Sequence, residues 1–268
     1  MSAAGASPAV AGTRDVPVAN PLFEYLLRVA DDRLVLGHRL SEWCGHGPIL
    51  EEDIALANIA LDHVGQAAAL LELAGRVEGA GRDADALAYL RDERDFRNAL
   101  LVEQPNGDFG MTMTRQFLFD AYSVLYLGEL AGCGHAELAA LAAKAVKEDT
   151  YHLRHSGEWM LRLGDGTEES HARAQAALDV LWRFTSELFE FDDVDEGVGV
   201  HGIHVDRKAL RPRWMEVVGD IAKRATLSLP SDDQPMATGG RRGRHTEHLG
   251  HMLSDMQIVA RSHPGASW

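Results

Sequence analysis

Four long stretches of the chain repeat apolar residues at helical spacing, and short breakers join them two by two. PLFEYLLRVADDRLVLGHRLSEW (21–43) is followed, after CGHGP (44–48), by ILEEDIALANIALDHVGQAAALLELAGRV (49–77). MTMTRQFLFDAYSVLYLGELA (111–131) is followed, after Gly132 and Gly134, by HAELAALAAKAVKEDTYHLRHSGEWMLRLG (135–164). Apolar side chains recurring every third or fourth position give each segment one face that must be buried. A link of a few residues leaves an antiparallel neighbour as the simplest way to bury it. Between the pairs lie a shorter helical run, 86–103, and the breaker QPNGDFG, 104–110.

Two helix hairpins joined by a long connection predict an all-α, ferritin-like four-helix bundle. Further helical runs at 171–190, 207–229 and 245–262 predict additional C-terminal helices, separated by the acidic, Gly-rich stretch 192–206 and the loop 230–244. No segment alternates like a strand. The expected layout is a disordered leader of small residues over 1–20 and a single ferritin-like domain over 21–268. Within that domain, 21–164 forms the bundle core and 171–262 the peripheral helices.

Composition excludes several functions. The 26 Lys and Arg against 41 Asp and Glu leave a net charge of −15, unsuited to nucleic acid or an anionic membrane surface. Two cysteines, Cys44 and Cys133, cannot build a disulfide framework or a four-cysteine metal site, which points to a reducing, cytoplasmic setting. The N-terminus lacks the basic start and apolar run of a signal peptide. No uninterrupted apolar stretch approaches the roughly 18 residues of a spanning helix, so no membrane segment is expected.

Chemistry in such a bundle sits between the helices. Ferritin-like di-metal sites take one carboxylate from each of two helices and Glu-x-x-His from each of the other two. Residues three apart share a helix face, so one helix supplies an oxygen and a nitrogen together. At 1.5 Å per residue, Asp62 lies level with Asp31 or its neighbour Asp32 across the first turn. Across the second turn, Asp120 lies level with Glu148 and Asp149. Each acid interrupts an apolar stretch: IALDHVG, FLFDAYS, AVKEDTYH.

The nitrogens are incomplete. Three residues after Asp62 stands Gly65, and His63 is rotated about 100° from Asp62. Three after Glu148 stands Tyr151, whereas Asp149 and His152 keep the required spacing. With at most one of two expected imidazoles in place, a polar remnant is expected, and no metal in this chain. Lys147, Arg115 or protonation would neutralise the interior acids, because unpaired buried carboxylates are costly.

Other constellations are weaker. His245, His248 and His251 recur every third residue but drift around a helix, and they lack the H-E-x-x-H order. They read as surface or interface histidines at a helix start. GGRRGR (239–244) shares only composition with a phosphate loop and reads as a flexible basic segment suited to an acidic partner or a CoA phosphate. No nucleophile elbow, Rossmann fingerprint or Cys–His signature is present. Trp43, Trp159 and Trp182 read as core or subunit-contact residues.

LSEWCGHGPILEEDIALANIALDHVGQA (40–67), RDERDFRNALLVEQPNGDF (91–109), KAVKEDTYHLRHS (144–156), LWRFTSELF (181–189) and GGRRGRHTEHLGHML (239–253) closely resemble the PaaC family. These are the C subunits of bacterial ring 1,2-phenylacetyl-CoA epoxidases, and the resemblance runs from about residue 21 to Trp268. It implies a ferritin-like, structural C subunit that pairs with and supports a similar catalytic A subunit. It implies that the A subunit holds the di-iron centre, binds most of the phenylacetyl-CoA and epoxidises its ring with O₂. A small B subunit and a reductase carrying FAD and an iron–sulfur cluster, fed by NADPH, complete the system. No cofactor is then expected in this chain. Asp31, Asp62, Asp120, Glu148, Asp149 and His152 become residual di-iron-like positions.

Two other classes compete. A self-sufficient di-metal carboxylate oxidase or oxygenase would use Asp31 or Asp32 with Asp62, Asp120, Asp149 and His152, and an inward-turned His63 would favour it. A stand-alone binding or storage bundle would lack a catalytic partner. A structural subunit predicts exposed apolar residues on the long helices.

Overall fold

The Asn20 side chain accepts a hydrogen bond from the Phe23 amide at 3.1 Å, and Pro21 takes the first helical position, so α1 (Pro21–Ser41) starts sharply. The computed structural model describes residues 20–266. The leader read over 1–20 therefore lies, apart from Asn20, outside the described residues. After α1 the chain turns at 42–49 into α2 (Leu50–Glu78), whose first turn carries Glu51, Glu52 and Asp53, favourable at the positive end of the helix dipole. Gly79 ends α2 with φ of 71°, a conformation costly for a residue with a Cβ.

Short α3 (Ala84–Tyr89) and α4 (Leu100–Glu103) lead to α5 (Phe109–Leu130), capped by Asp108, and α6 (Ala136–Gly164). Helix α1 packs along α2, α5 along α6, and α2 also meets α6. Tyr25 and Tyr126 share a 2.6 Å hydrogen bond between α1 and α5. This is the expected bundle. Helix α7 (Glu168–Leu181), α8 (Asp193–Gly197), α9 (Arg207–Arg224) and α10 (Glu247–Ser262) follow. Helices α7 and α9 cover α5 and α6, and one hydrophobic core runs through bundle and additions alike. No strand occurs among the described residues.

The helix expected over 86–103 is broken, and α1 supplies the reason. Arg97 donates its amide to Asp31 Oδ2 at 2.8 Å, Ala99 to Asp32 Oδ1 at 2.7 Å, and Leu100 to Glu187 Oε2 at 2.8 Å. Three carboxylates take amides that a helix would have used, so the backbone runs extended between Phe96 and Ala99 without buried unpaired donors. The run expected over 171–190 likewise ends at Leu181 and continues as 3₁₀ turns at 182–184 and 186–189.

The segment 239–244 departs from its expected flexibility. Glu187 Oε1 accepts the amides of Gly239 and Arg241 at 2.8 and 3.2 Å. Arg241 is buried and grips Asp32 through two bonds of 2.9 and 2.7 Å. A Cβ on Gly240 would stand 2.2 Å from the Asn98 carbonyl oxygen, so only glycine permits this approach. The basic loop is an internal clamp on the bundle.

His245 is also inside. Its ring nitrogens lie 2.8 Å from Glu103 Oε2 and 3.0 Å from the Phe96 carbonyl. Burial alone would lower its pKa, but the hydrogen bond and charge of Glu103 outweigh burial and raise it. A raised folded-state pKa gives stability that is complete below the unfolded value, about 6.5, and is lost as pH rises through the folded value. The midpoint of thermal unfolding should therefore fall as pH rises above about 6.5, and His245→Gln should flatten that slope. An unchanged slope in the variant would remove His245 from this role.

Among the described residues, helix α2 alone is long and apolar enough, by length and composition, to cross a membrane, a test that a core helix also meets. One side of it packs on α1 and α6 in the bundle. The other side exposes Leu50 (70%), Ile54 and Leu61 (68%), and Tyr151 of α6 is also exposed (62%). The expected apolar exposure on the long helices is present there.

Candidate functional site

A heptad-like row of positions on each of three core helices delivers polar groups to the bundle centre, although α1 is buried on nearly every side. On α1 the buried stripe reads Leu22, Leu26, Val29, Arg33, Leu36, Leu40. On α2 it reads Leu56, Ala60, His63, Ala67, Leu70, Ala74, and on α6 Leu138, Ala142, Ala145, Asp149, His152, Ser156. Spacings of three and four keep these positions on one face. Arg33, His63, Asp149 and His152 thus arrive at the core as Leu or Ala would. From α5, Gln116, Asp120 and Ser123 complete the group, all fully buried.

Asp149 is the hub. Its Oδ2 accepts from Ser123 Oγ at 2.5 Å and from Arg33 Nη2 at 3.4 Å, and its Oδ1 accepts from Gln66 Nε2 at 3.1 Å. Arg33 also donates to Ser123 Oγ at 2.8 Å. Burial works against the charge of Asp149, but Arg33, His63, His152 and Ser123 together hold its carboxyl below the usual range. Asp120 behaves oppositely. It accepts from Gln116 at 2.7 Å and Ser156 at 2.8 Å, with no cation among the described residues bonded to it. Burial and the nearby Asp149 charge push its carboxyl well above the usual range. Two carboxylates in one dry site cannot both ionise cheaply, so their affinities for protons separate.

The two imidazoles lie with ring centres 5.0 Å apart. Burial, reinforced by His152, lowers His63 to about 3, so this ring is neutral at ordinary pH. Its Nε2 lies 3.3 Å from the Gln116 amide nitrogen, and His152 Nε2 lies 3.0 Å from Asp62 Oδ2. Nδ1 of neither ring has a hydrogen-bond partner among the described residues, though that of His152 lies 3.6 Å from Asp149 Oδ1.

The structure reverses the expected geometry of α2: His63 faces the core, while the Asp62 side chain is 42% exposed at the rim. Asp120, Asp149 and His152 are brought together as expected. Glu148 stays at the edge, 2.9 Å from Gln66 Nε2 and 3.6 Å from Lys144. Asp31 does not join. It pairs with Arg91, and Asp32 pairs with Arg241. The two suggested neutralising cations do not serve: Lys147 is exposed, and Arg115 is turned to the Gln104 carbonyl and Asn106. Arg33 does that work for Asp149, and burial favours the protonated form of Asp120.

The inward His63 is the feature that would favour a self-sufficient di-metal centre. The same structure withholds the carboxylate that α1 would have to supply and places a guanidinium there. A carboxylate-bridged pair of ions does not fit this donor set. Asp120 is committed to Gln116 and Ser156, and Arg33 lies against Asp149. Sequence reasoning missed Arg33, expected His63 to face inward only on the competing di-metal reading, and gave no place in the site to Gln66, Gln116 and Ser123. The heptad stripes would have exposed the first two.

Residues 13–268 match the phenylacetic acid catabolic protein family. The C subunit of the 1,2-phenylacetyl-CoA epoxidase of Escherichia coli (strain K12) is 49% identical over 249 residues, covering 93% of this chain and 100% of that protein. An all-helical bundle whose long helices carry acids and imidazoles to one central cluster, matched over nearly its whole length, places it: the chain belongs to the phenylacetic acid catabolic protein family.

Proposed function

We propose that this chain is a noncatalytic, cytoplasmic structural subunit of a multicomponent monooxygenase that epoxidises the aromatic ring of phenylacetyl-CoA in phenylacetate catabolism. It pairs with and supports a ferritin-like catalytic A subunit, which holds the di-iron centre and most of the substrate contacts. A B subunit and a reductase with FAD, an iron–sulfur cluster and NADPH complete the assembly. The chain acts as one ferritin-like unit, with bundle core 21–164 and peripheral helices 171–262 sharing one interior. Asp62, Asp120, Glu148, Asp149 and His152 are read as residual di-iron-like positions, and Asp31 is read out of that set.

The observation that carries this reading is the Arg33 guanidinium, buried 3.4 Å from Asp149 Oδ2 and 2.8 Å from Ser123. A fixed cation at the hub neutralises the carboxylate that metal ions would need. The similarity to the C subunit of the Escherichia coli epoxidase supports membership in such a complex. The uncharged strip of Ile54, Leu61, Gly65 and Ala68 on α2 offers a flat face for a partner helix.

The test is reconstitution. The chain alone should oxidise no phenylacetyl-CoA and hold no stoichiometric iron, and omitting it should abolish a complex assembled from the other subunits. Ring oxidation by the isolated chain would reject the reading. It would favour the second one, a self-sufficient di-metal oxygenase, to which the inward His63 lends support.

A further inference from the structure

We infer that Arg33 is a built-in excluder of metal, and that His63, Asp149 and His152 form a latent site for one divalent transition-metal ion once that guanidinium is removed. The inference rests on the noncatalytic reading above and goes beyond it by naming the residue responsible and the ion chemistry beneath it.

One ligand atom from each of His63, Asp149 and His152 lies within 4.8 Å of the others, and all three residues are fully buried. Two imidazoles and one carboxylate, with positions left open, are a sufficient set for a mononuclear divalent ion such as Co²⁺, Fe²⁺ or Zn²⁺. The donors sit on rigid helices, Asp149 and His152 one turn apart on α6 and His63 on α2. Their outer contacts are those that orient metal ligands. Asp62 meets His152 Nε2 at 3.0 Å, and Gln116 meets His63 Nε2 at 3.3 Å. These contacts use Nε2 of each ring, and Nδ1 of each is buried without a hydrogen-bond partner among the described residues. Nδ1 of His152 lies 3.6 Å from Asp149 Oδ1, close enough for one ion to reach both atoms.

What opposes an ion is equally local. Arg33 lies in the same buried space and shares Asp149 with Ser123. Its positive charge would repel a dication at short range in a water-poor interior. A second ion finds no seat, since Asp31 and Asp32 are held by Arg91 and Arg241.

The experiment is Co²⁺ titration of the full-length chain, read by visible ligand-field absorption and by metal content after dialysis. Arg33→Ala and Arg33→Gln should each retain about one Co²⁺ per chain, at least about 100-fold more tightly than wild type. Wild type and Arg33→Lys, which keep the charge, should retain almost none. Adding His152→Ala to Arg33→Gln should abolish the band. Arg33→Ala leaves a void, so Arg33→Gln decides the question, with far-UV circular dichroism reporting the fold. Folded but metal-free Arg33 variants overturn the inference, as does an Arg33→Gln chain that no longer folds, because Arg33 would then be a structural requirement. In both cases a metal-free, inactive wild type leaves the noncatalytic reading standing. Tight Co²⁺ binding by wild type overturns the exclusion, whereas only ring oxidation by the isolated wild-type chain overturns the noncatalytic reading.

Discussion

Replacing Asp32 by alanine is expected to destabilise the chain by about 3–5 kcal/mol, the cost of leaving one member of a buried ion pair alone. Asp32 carries two loads. It receives Arg241 through bonds of 2.9 and 2.7 Å, and it accepts the Ala99 amide at 2.7 Å. Arg241 is buried and would have to keep its charge without its principal counter-ion. The same change frees an amide in the extended segment between α3 and α4. Arg241→Met should cost less than Asp32→Ala, because it leaves the Asp32–Ala99 bond intact. The double replacement Asp32→Leu with Arg241→Met should cost less than the two single changes added together, since no lone charge remains. The urea midpoint of the purified chain measures each. A loss below about 1 kcal/mol for Asp32→Ala would show that the clamp 239–244 is not held by this pair.

The second large effect concerns assembly. If this face of α2 carries the proposed pairing, Leu61→Asp should weaken binding of the proposed catalytic subunit by at least about 100-fold, because a carboxylate desolvated in an apolar contact is left without a partner. Leu61 is 68% exposed and lies off the buried stripe of α2, so its own chain should lose no more than about 0.5 kcal/mol. Ile54→Asp, two turns earlier on the same face, should act in the same direction. Sedimentation of the mixed subunits reads the pairing, and thermal unfolding of the isolated chain reads the fold. Undiminished pairing in both variants would remove this face of α2 from the interface.

The helix pairs α1–α2 and α5–α6 are legible in the sequence because each is local: periodicity marks the buried face, and a short link forces the antiparallel return. The stretch 86–103 is not legible. Its apolar spacing is helical, yet Asp31, Asp32 and Glu187, distant in the chain, take its amides. The site was half legible. Asp149 and His152 stand at ligand spacing on α6, and Asp120 interrupts an apolar run on α5. Height along the helix placed Asp62 level with Asp31 or Asp32, as an interior ligand, whereas it meets His152 only from the edge. Rotation around the helix axis, carried by Leu56, His63 and Leu70 at intervals of seven, turns His63 inward and leaves Asp62 at the rim.

By itself the sequence determined the all-helical bundle and the level at which polar groups enter it, since both follow from spacing along single helices. Only the tertiary structure decided what those groups do. A buried charge must be answered by whichever neighbour the other helices bring within a few ångströms. Here that neighbour is Arg33 for Asp149, Arg91 for Asp31 and Arg241 for Asp32. The sequence shows all three arginines, but which acid each one reaches is set by contacts between segments far apart in the chain.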